Sequence, residues 1–162
     1  MNGITIRRAE RSDAERVHAA LRQLSADMGD THVASLDDVI RHGFSEPPAF
    51  IALLAIRRSD DRTLGVLQAS PVFSTTRGGA GLYVSDLWVA AEARGAGVGQ
   101  RLLAASFELA PESWRPVFLR LAVYGGNADA RRFYERLGFK ARENETVFDL
   151  TSPALDTLRK RS

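Results

Sequence analysis

A chain of 162 residues with 44 % hydrophobic content is long enough for one domain with a real core. It has no cysteine, which excludes disulfides, a thiolate metal site and a cysteine nucleophile. A formal net charge of +2, with the basic residues scattered, offers no phosphate-tracking stripe and so no nucleic-acid partner. No apolar run is long enough to span a bilayer and the N-terminus lacks a signal-peptide core, so the expectation is a soluble, cytoplasmic protein without a membrane partner.

Ile4-Thr-Ile-Arg-Arg8 alternates as a short half-buried strand. Ser12-Asp-Ala-Glu15 has the spacing of a capping box and predicts a helix with Val17, Ala20, Leu21 and Leu24 on its apolar face, fading near Met28-Gly29. A polar loop runs from Gly29 to Ala34, and Ser35 caps a shorter helix through Val39-Ile40 that stops near Gly43. Glu46-Pro-Pro48 breaks the chain. The continuous apolar run Phe50-Ile-Ala-Leu-Leu-Ala-Ile56 reads as a buried strand, and Leu64-Gly-Val-Leu-Gln-Ala-Ser70 as its hairpin partner. A second, glycine-rich turn from Thr75 to Gly81 leads into Leu82-Tyr-Val-Ser-Asp-Leu-Trp-Val89.

That strand opens onto Arg94-Gly-Ala-Gly-Val-Gly99 and then onto a helical pattern at Val98, Leu102, Leu103 and Phe107. Strand, glycine turn and helix start together present free backbone N–H groups at the positive end of a helix dipole, a good phosphate site. A Walker A loop is excluded because Gly99 is followed by Gln100 and Arg101. A dinucleotide G-x-G-x-x-G beginning at Gly95 is excluded because position 100 is Gln100. The helix should run to about Leu109, ended by Pro111, with a strand at Val117–Val123, a turn at Gly125-Gly-Asn127 and a helix from Ala128 to Leu137 ended by Gly138. Two short strands, over residues 139–142 and 146–150, complete the pattern, followed by a charged C-terminal tail over 153–162. The order β-α-α-β-β-β-α-β-α-β-β describes a mixed α/β sheet.

Arg94-x-x-Gly97-x-Gly99 after a strand resembles the pyrophosphate loop of the GNAT superfamily of acyl-CoA N-acyltransferases. Asn127-Ala-Asp-Ala-Arg-Arg-Phe-Tyr134-Glu-Arg-Leu-Gly-Phe139, about thirty residues on, is similar to that superfamily's N-x-x-A-x-x-F-Y-x-x-x-G-F helix. The resemblance covers essentially the whole chain and implies a single GNAT domain over residues 1–152 with a mixed, mostly antiparallel sheet flanked by helices. Within the superfamily, Asp38-Val-Ile-Arg-His-Gly-Phe-Ser-Glu46 and Leu82-Tyr83…Asp86 resemble the diamine (spermidine/spermine-type) acetyltransferases, which implies a homodimer. Ser85 stands where that group carries a second acid, which weakens the case for a polyamine.

The implied reaction is attack of an amine on the thioester of acetyl-CoA, with acetyl-CoA as co-substrate and no metal. An aliphatic amine of pKa about 10.4 is only about 0.04 % neutral at pH 7, so the site has to take its proton or favour the neutral form. The departing thiolate, of pKa about 8.5, leaves more easily if protonated. The resemblance places Tyr134 beside the CoA sulfur as that acid; Phe133-Tyr134 as a purely aromatic packing pair is the alternative. Asp86 is the candidate to accept the amine proton, with Ser85 as a relay, and reads equally well as an ion-pair partner. On a regular strand Ser85 and Asp86 point to opposite faces, and the bulge that would change this is implied by the resemblance alone.

For the cofactor, the resemblance implies backbone pairing of the pantetheine arm at Leu87 and Val89, with Trp88 between them also counted among the cofactor-binding residues. It also implies diphosphate binding along Arg94, Gly95, Ala96, Gly97, Val98, Gly99 and Gln100, and a groove wall at Asn127, Ala130 and Tyr134. Asp27, Asp30 and Glu143, together with Asp86, are candidates to recognise a cationic acceptor. His18, His32 and His42 lack the spacing of a metal site, and no Gly-x-Ser-x-Gly serine-hydrolase motif occurs. The leading expectation is an N-acetyltransferase acting on a primary amine of a small, polyamine- or amino-acid-like molecule. A protein Nα- or lysine acetyltransferase and a non-catalytic acyl-CoA-binding module are the competitors.

Overall fold

The computed structural model describes residues 3–161, in which five strands pair in the order in which they occur in the chain. They are β1 (Ile4–Arg8), β2 (Ile51–Arg57), β3 (Arg62–Ser74), β4 (Gly79–Val89) and β5 (Leu119–Leu121). The first four pair antiparallel, and β5 lies parallel to β4. The helices are α1 (Ala14–Met28), α2 (Leu36–Gly43), α3 (Val98–Leu109), α4 (Ala128–Arg136) and α5 (Ala154–Arg159). The chain forms two compact units, one up to Tyr124 that contains the whole sheet and one from Gly125 onward.

In the first unit the sheet is covered on both faces, and β2 shows why its sequence is apolar without alternation. Ala52, Leu54 and Ile56 pack with Val17, Ala20 and Leu21 of α1 and Val39 of α2. Ile51, Leu53 and Ala55, which alternate with them and so take the opposite face, are also buried, and α3 packs on β2 as it does on β1 and β3. Gly65 in β3 allows α3 to come close: a Cβ there would lie 3.0 Å from Leu102 Cδ1 and 3.0 Å from the Trp88 carbonyl oxygen.

Ser35 caps α2 as its sequence predicts, its hydroxyl accepting the Asp38 N–H at 3.1 Å while Asp38 accepts the Ser35 N–H at 2.9 Å. The start of α1 is built differently from the expected Ser12/Glu15 box. A single 3-10 turn over Arg11–Asp13 precedes it, and the Asp13 carboxylate closes that turn by accepting the Glu10 N–H at 2.9 Å. Arg7 grips both oxygens of that carboxylate, at 2.6 and 2.7 Å, and Asp13 is only 5 % exposed. A buried, doubly held carboxylate outcompetes an exposed hydroxyl for the helix start.

In the second unit Asn127 caps α4, its side-chain oxygen accepting the Ala130 N–H at 3.1 Å, and Gly138 at φ +92° ends it as expected. The two terminal strands expected over 139–142 and 146–150 are not formed. Val147 and Phe148 are 79 % and 89 % exposed, and strand propensity without cross-strand partners does not hold a segment in a ladder. The segment expected as a charged tail carries the one-and-a-half turns of α5. Residues 1, 2 and 162, the outer ends of the expected domain and tail, lie outside the described residues.

Candidate active site

The site is organised by a defect in β4. The β3–β4 register runs Gln68 opposite Asp86 and then Ala69 opposite Val84, so Ser85 is an extra residue, the bulge that the sequence alone could not reveal. Ser85 is exposed and ties to Gln68, whose side-chain nitrogen donates to its hydroxyl at 3.2 Å. Asp86 turns inward and is half-buried.

The bulge coincides with the end of pairing on the other edge of β4. β5 pairs only from Leu82 to Val84, so among the described residues no strand pairs with that edge from Ser85 to Val89. The Ala90 N–H bonds to the Leu64 oxygen at 2.9 Å, which by alternation turns the backbone groups of Trp88 toward β3 and those of Leu87 and Val89 to the uncovered edge. An extended chain of amide groups can add there as a further strand.

Beyond this edge the glycine loop adopts the backbone its sequence requires. Gly95 and Gly97 have φ of +77° and +75°, and a Cβ on either would meet nothing within 4 Å. Space, therefore, is not what demands glycine there, only backbone conformation. Val98 is buried and anchors α3, while residues 94–97 are exposed. Among the described residues, the N–H groups of Gly95, Gly97, Val98, Gly99 and Gln100 have no hydrogen-bond acceptor, and those of Arg94 and Ala96 reach back to Ala91 and Ala93 at 3.3 and 3.4 Å. Five open N–H groups at a helix start form a cradle for a polyanion.

Arg94 and Asp27 have partners the sequence did not reveal. Asp27 Oδ2 accepts from Trp88 Nε1 at 3.0 Å and from Arg94 Nη2 at 2.8 Å, and Oδ1 accepts from Gln23 at 2.9 Å. Arg94 Nε also donates to the Val89 oxygen at 3.0 Å. Hydrogen bonds from Gln23 and Trp88, with Arg94 alongside, hold the Asp27 carboxyl below the usual carboxylate range. Asp27 thus pins the end of α1 to the strand and loop, and a cleft of about 480 Å³ opens beside it, bordered also by Arg16, Arg62 and Glu92.

A second cleft, of about 280 Å³, lies at the bulge. It is lined by Asp86 and Gln68 of the sheet, by Asp38, Val39 and His42 of α2, and by Ser25 and His32. Burial pushes the Asp86 carboxyl above its ordinary value, against a hydrogen bond from Ser85 and the nearby charge of His32. Asp30 accepts a hydrogen bond from the Tyr124 hydroxyl at 3.0 Å, which raises that phenol. His32 escaped the sequence reading because its significance depends on how α1 ends. Gly29 at φ +73° and the Asp30 N–H bond to the Ser25 oxygen turn the chain back, so that His32 Nδ1 lies 2.9 Å from Ser25 Oγ.

In the second unit Tyr134 packs edge-on between Phe133 and Phe139, with ring centroids 5.0 and 5.4 Å away. Burial pushes its phenol up to about 12, so it is protonated at neutral pH. Glu143 is 84 % exposed and 3.7 Å from Arg131. Among the described residues there is no group of three or more His, Asp or Glu side chains placed to hold a metal, and no helix is long and apolar enough to cross a membrane.

Residues 17–139 match the model of the acetyltransferase (GNAT) family. The chain belongs to that family. It is accordingly an N-acetyltransferase of the acetyl-CoA-dependent kind. It is 27 % identical over 154 residues to the peptidyl-lysine N-acetyltransferase YjaB of Escherichia coli K12, an alignment covering 93 % of this chain and 91 % of the relative. An integron cassette protein of Vibrio cholerae superposes with a TM-score of 0.78 at 22 % identity, covering 98 % of each chain. An aminoglycoside acetyltransferase from an uncultured soil metagenomic sample, solved with sisomicin, superposes with a TM-score of 0.74 at 17 % identity, covering 93 % of this GNAT chain and 97 % of its own.

Proposed function

We propose that the protein transfers the acetyl group of acetyl-CoA to a primary amine of a small molecule, polyamine- or amino-acid-like, by direct attack. The observation that carries this reading is Asp86: a half-buried carboxylate in the lining of a cleft, beside the uncovered edge of β4. The cleft holds about 280 Å³, room for the amine-bearing part of a small molecule rather than for a folded surface. The open N–H groups of Gly95 to Gln100 hold the diphosphate, and the outward backbone groups of Leu87 and Val89 pair with the amide-bearing arm. Asp86 attracts the ammonium ion and draws off its proton, directly or through water, with Ser85 as the neighbouring hydroxyl. Tyr134, kept protonated by its raised pKa, donates to the departing sulfur. The likeness of residues 38–46 to the diamine enzymes supports a homodimer with a cationic acceptor.

A protein-lysine acceptor is the second reading. It draws on the E. coli relative, a peptidyl-lysine enzyme at 27 % identity, and on the exposed rim of the cleft, where Val33 is 86 % exposed. Release of the CoA thiol should be followed with diamines, amino acids, aminoglycosides and lysine peptides as acceptors. Turnover on small amines supports the first reading and turnover on peptides alone the second. Tight CoA binding with no turnover on any amine would leave a non-catalytic binding module.

A further inference from the structure

The mechanism leaves three titratable groups of the cleft lining unused, Asp38, His42 and His32, and His32 stands apart from the other two. Its Nε2 is enclosed and has no hydrogen-bond partner. The other ring nitrogen determines what that means. Ser25 Oγ donates its single proton to the Leu21 oxygen, 3.2 Å away, as a serine bonding back one helical turn does. With that proton on the Leu21 oxygen, Ser25 Oγ is an acceptor for His32, and the 2.9 Å contact suits the neutral tautomer that carries its proton on Nδ1. In that tautomer Nε2 is a lone pair, a proton acceptor without a proton, on a residue that lines the same cleft as Asp86.

We propose that His32 Nε2, rather than Asp86, is where the proton of the acceptor amine comes to rest, and that Asp86 holds the cation. The proposal builds on the acetyl-transfer reading above. Imidazole is the side chain best matched to taking a proton near neutral pH, whereas a carboxylate serves better to hold the cation. An ammonium N–H bond breaks and an Nε2–H bond forms, and the imidazolium that results is stabilised by Asp86, which lines the same cleft. The neutral amine then forms its C–N bond to the acetyl carbon as the C–S bond breaks. Of the two protons the nitrogen loses, one passes through His32 to solvent. The other replaces the proton that Tyr134 gives to the sulfur. Because Nε2 is enclosed, the proposal includes its exposure to the cleft when the amine binds.

The other titratable groups around the ring are His18 of α1, with ring centroids 5.4 Å apart, Asp38 and His42 of α2, Asp86 of β4, and Asp30 on its own loop. Of these, the Asp38 carboxylate is engaged by the Ser35 cap and Asp30 by Tyr124.

The test is His32→Asn, whose amide can still donate to Ser25 but offers no basic lone pair. On the amine that the wild-type enzyme turns over best, kcat should fall on the order of 10²-fold, with the KM for acetyl-CoA unchanged. The acidic limb of the kcat–pH profile should vanish in His32→Asn and persist in Asp86→Asn. An unchanged kcat and acidic limb in folded His32→Asn would overturn the proposal while leaving acetyl transfer intact. Absence of turnover by the wild-type enzyme would instead remove the reading beneath it. Should the variant not fold, nitrogen NMR of the histidine-labelled wild-type protein decides: neutral His32 protonated at Nδ1 supports the assignment, and protonated at Nε2 refutes it.

Discussion

Gly97→Ala separates the two reasons for a glycine in the loop before α3. Gly97 sits at φ +75°, and a Cβ there meets no protein atom within 4 Å, so the folded chain alone resists the substitution only through its backbone. Placing an L-alanine in the left-handed region costs about 1–2 kcal/mol. At about 2–4 °C per kcal/mol for a chain of this size, Tm should fall by roughly 2–8 °C. Gly78 provides the control, because it too has a positive φ, of +64°, and an open Cβ position, but lies in the turn before β4 and away from the loop. Gly78→Ala should therefore lower Tm by a similar amount. The two variants should part in coenzyme A binding, measured by titration calorimetry. A methyl group standing among five open N–H groups obstructs a diphosphate, so Gly97→Ala should weaken Kd tenfold or more, which is about 1.4 kcal/mol or above. Gly78→Ala should leave Kd unchanged. Equal Kd for both variants, alongside equal losses in Tm, would refute the cradle and leave the loop a mere turn.

Asp86→Asn keeps the shape of the cleft lining but removes the charge, and kcat/KM for the amine should fall on the order of 10²-fold with coenzyme A binding retained. Tyr134→Phe should lower kcat by on the order of 10²-fold at saturating substrates, and an unchanged kcat would remove Tyr134 as the acid. Because its phenol is pushed up to about 12, wild-type activity should show no alkaline loss traceable to Tyr134 below about pH 11. The Asp13 carboxyl is held below its ordinary value of 3.8, first by the hydrogen bonds from Arg7 and then by the Glu10 N–H, against the effect of burial. Its contribution is complete above that ordinary value and is lost as pH falls through the lower folded value. Asp13→Asn should accordingly cost about 1–3 kcal/mol in urea unfolding at pH 7, and the gap to wild type should narrow below about pH 4.

Most of the framework was legible because it rests on local rules. The unbroken apolar run of β2, the Ser35 cap, Gly29 and Gly138 at helix ends and the glycines before α3 each state their structure within a few residues. The two motifs carried the family in the same way, because a cradle of backbone amides and a capped helix need particular residue types at fixed spacing. What failed or stayed hidden depended on partners distant in sequence. The segments 139–142 and 146–150 have strand-like residues but form no ladder, and strand propensity alone cannot supply the cross-strand partner a ladder needs.

The sequence by itself determined that this chain would make a mixed sheet, a phosphate-sized loop and a tyrosine-bearing helix after Asn127, since backbone conformation and capping are decided over one or two turns. Only the tertiary structure decided what the polar side chains do. Asp27 became the tether of Trp88 and Arg94 across more than sixty residues, the bulge at Ser85 turned Asp86 into a cleft, and the turn at Gly29 laid His32 against Ser25. A carboxylate or an imidazole takes its role from the charges and donors within a few ångströms of it, and folding alone brings those together.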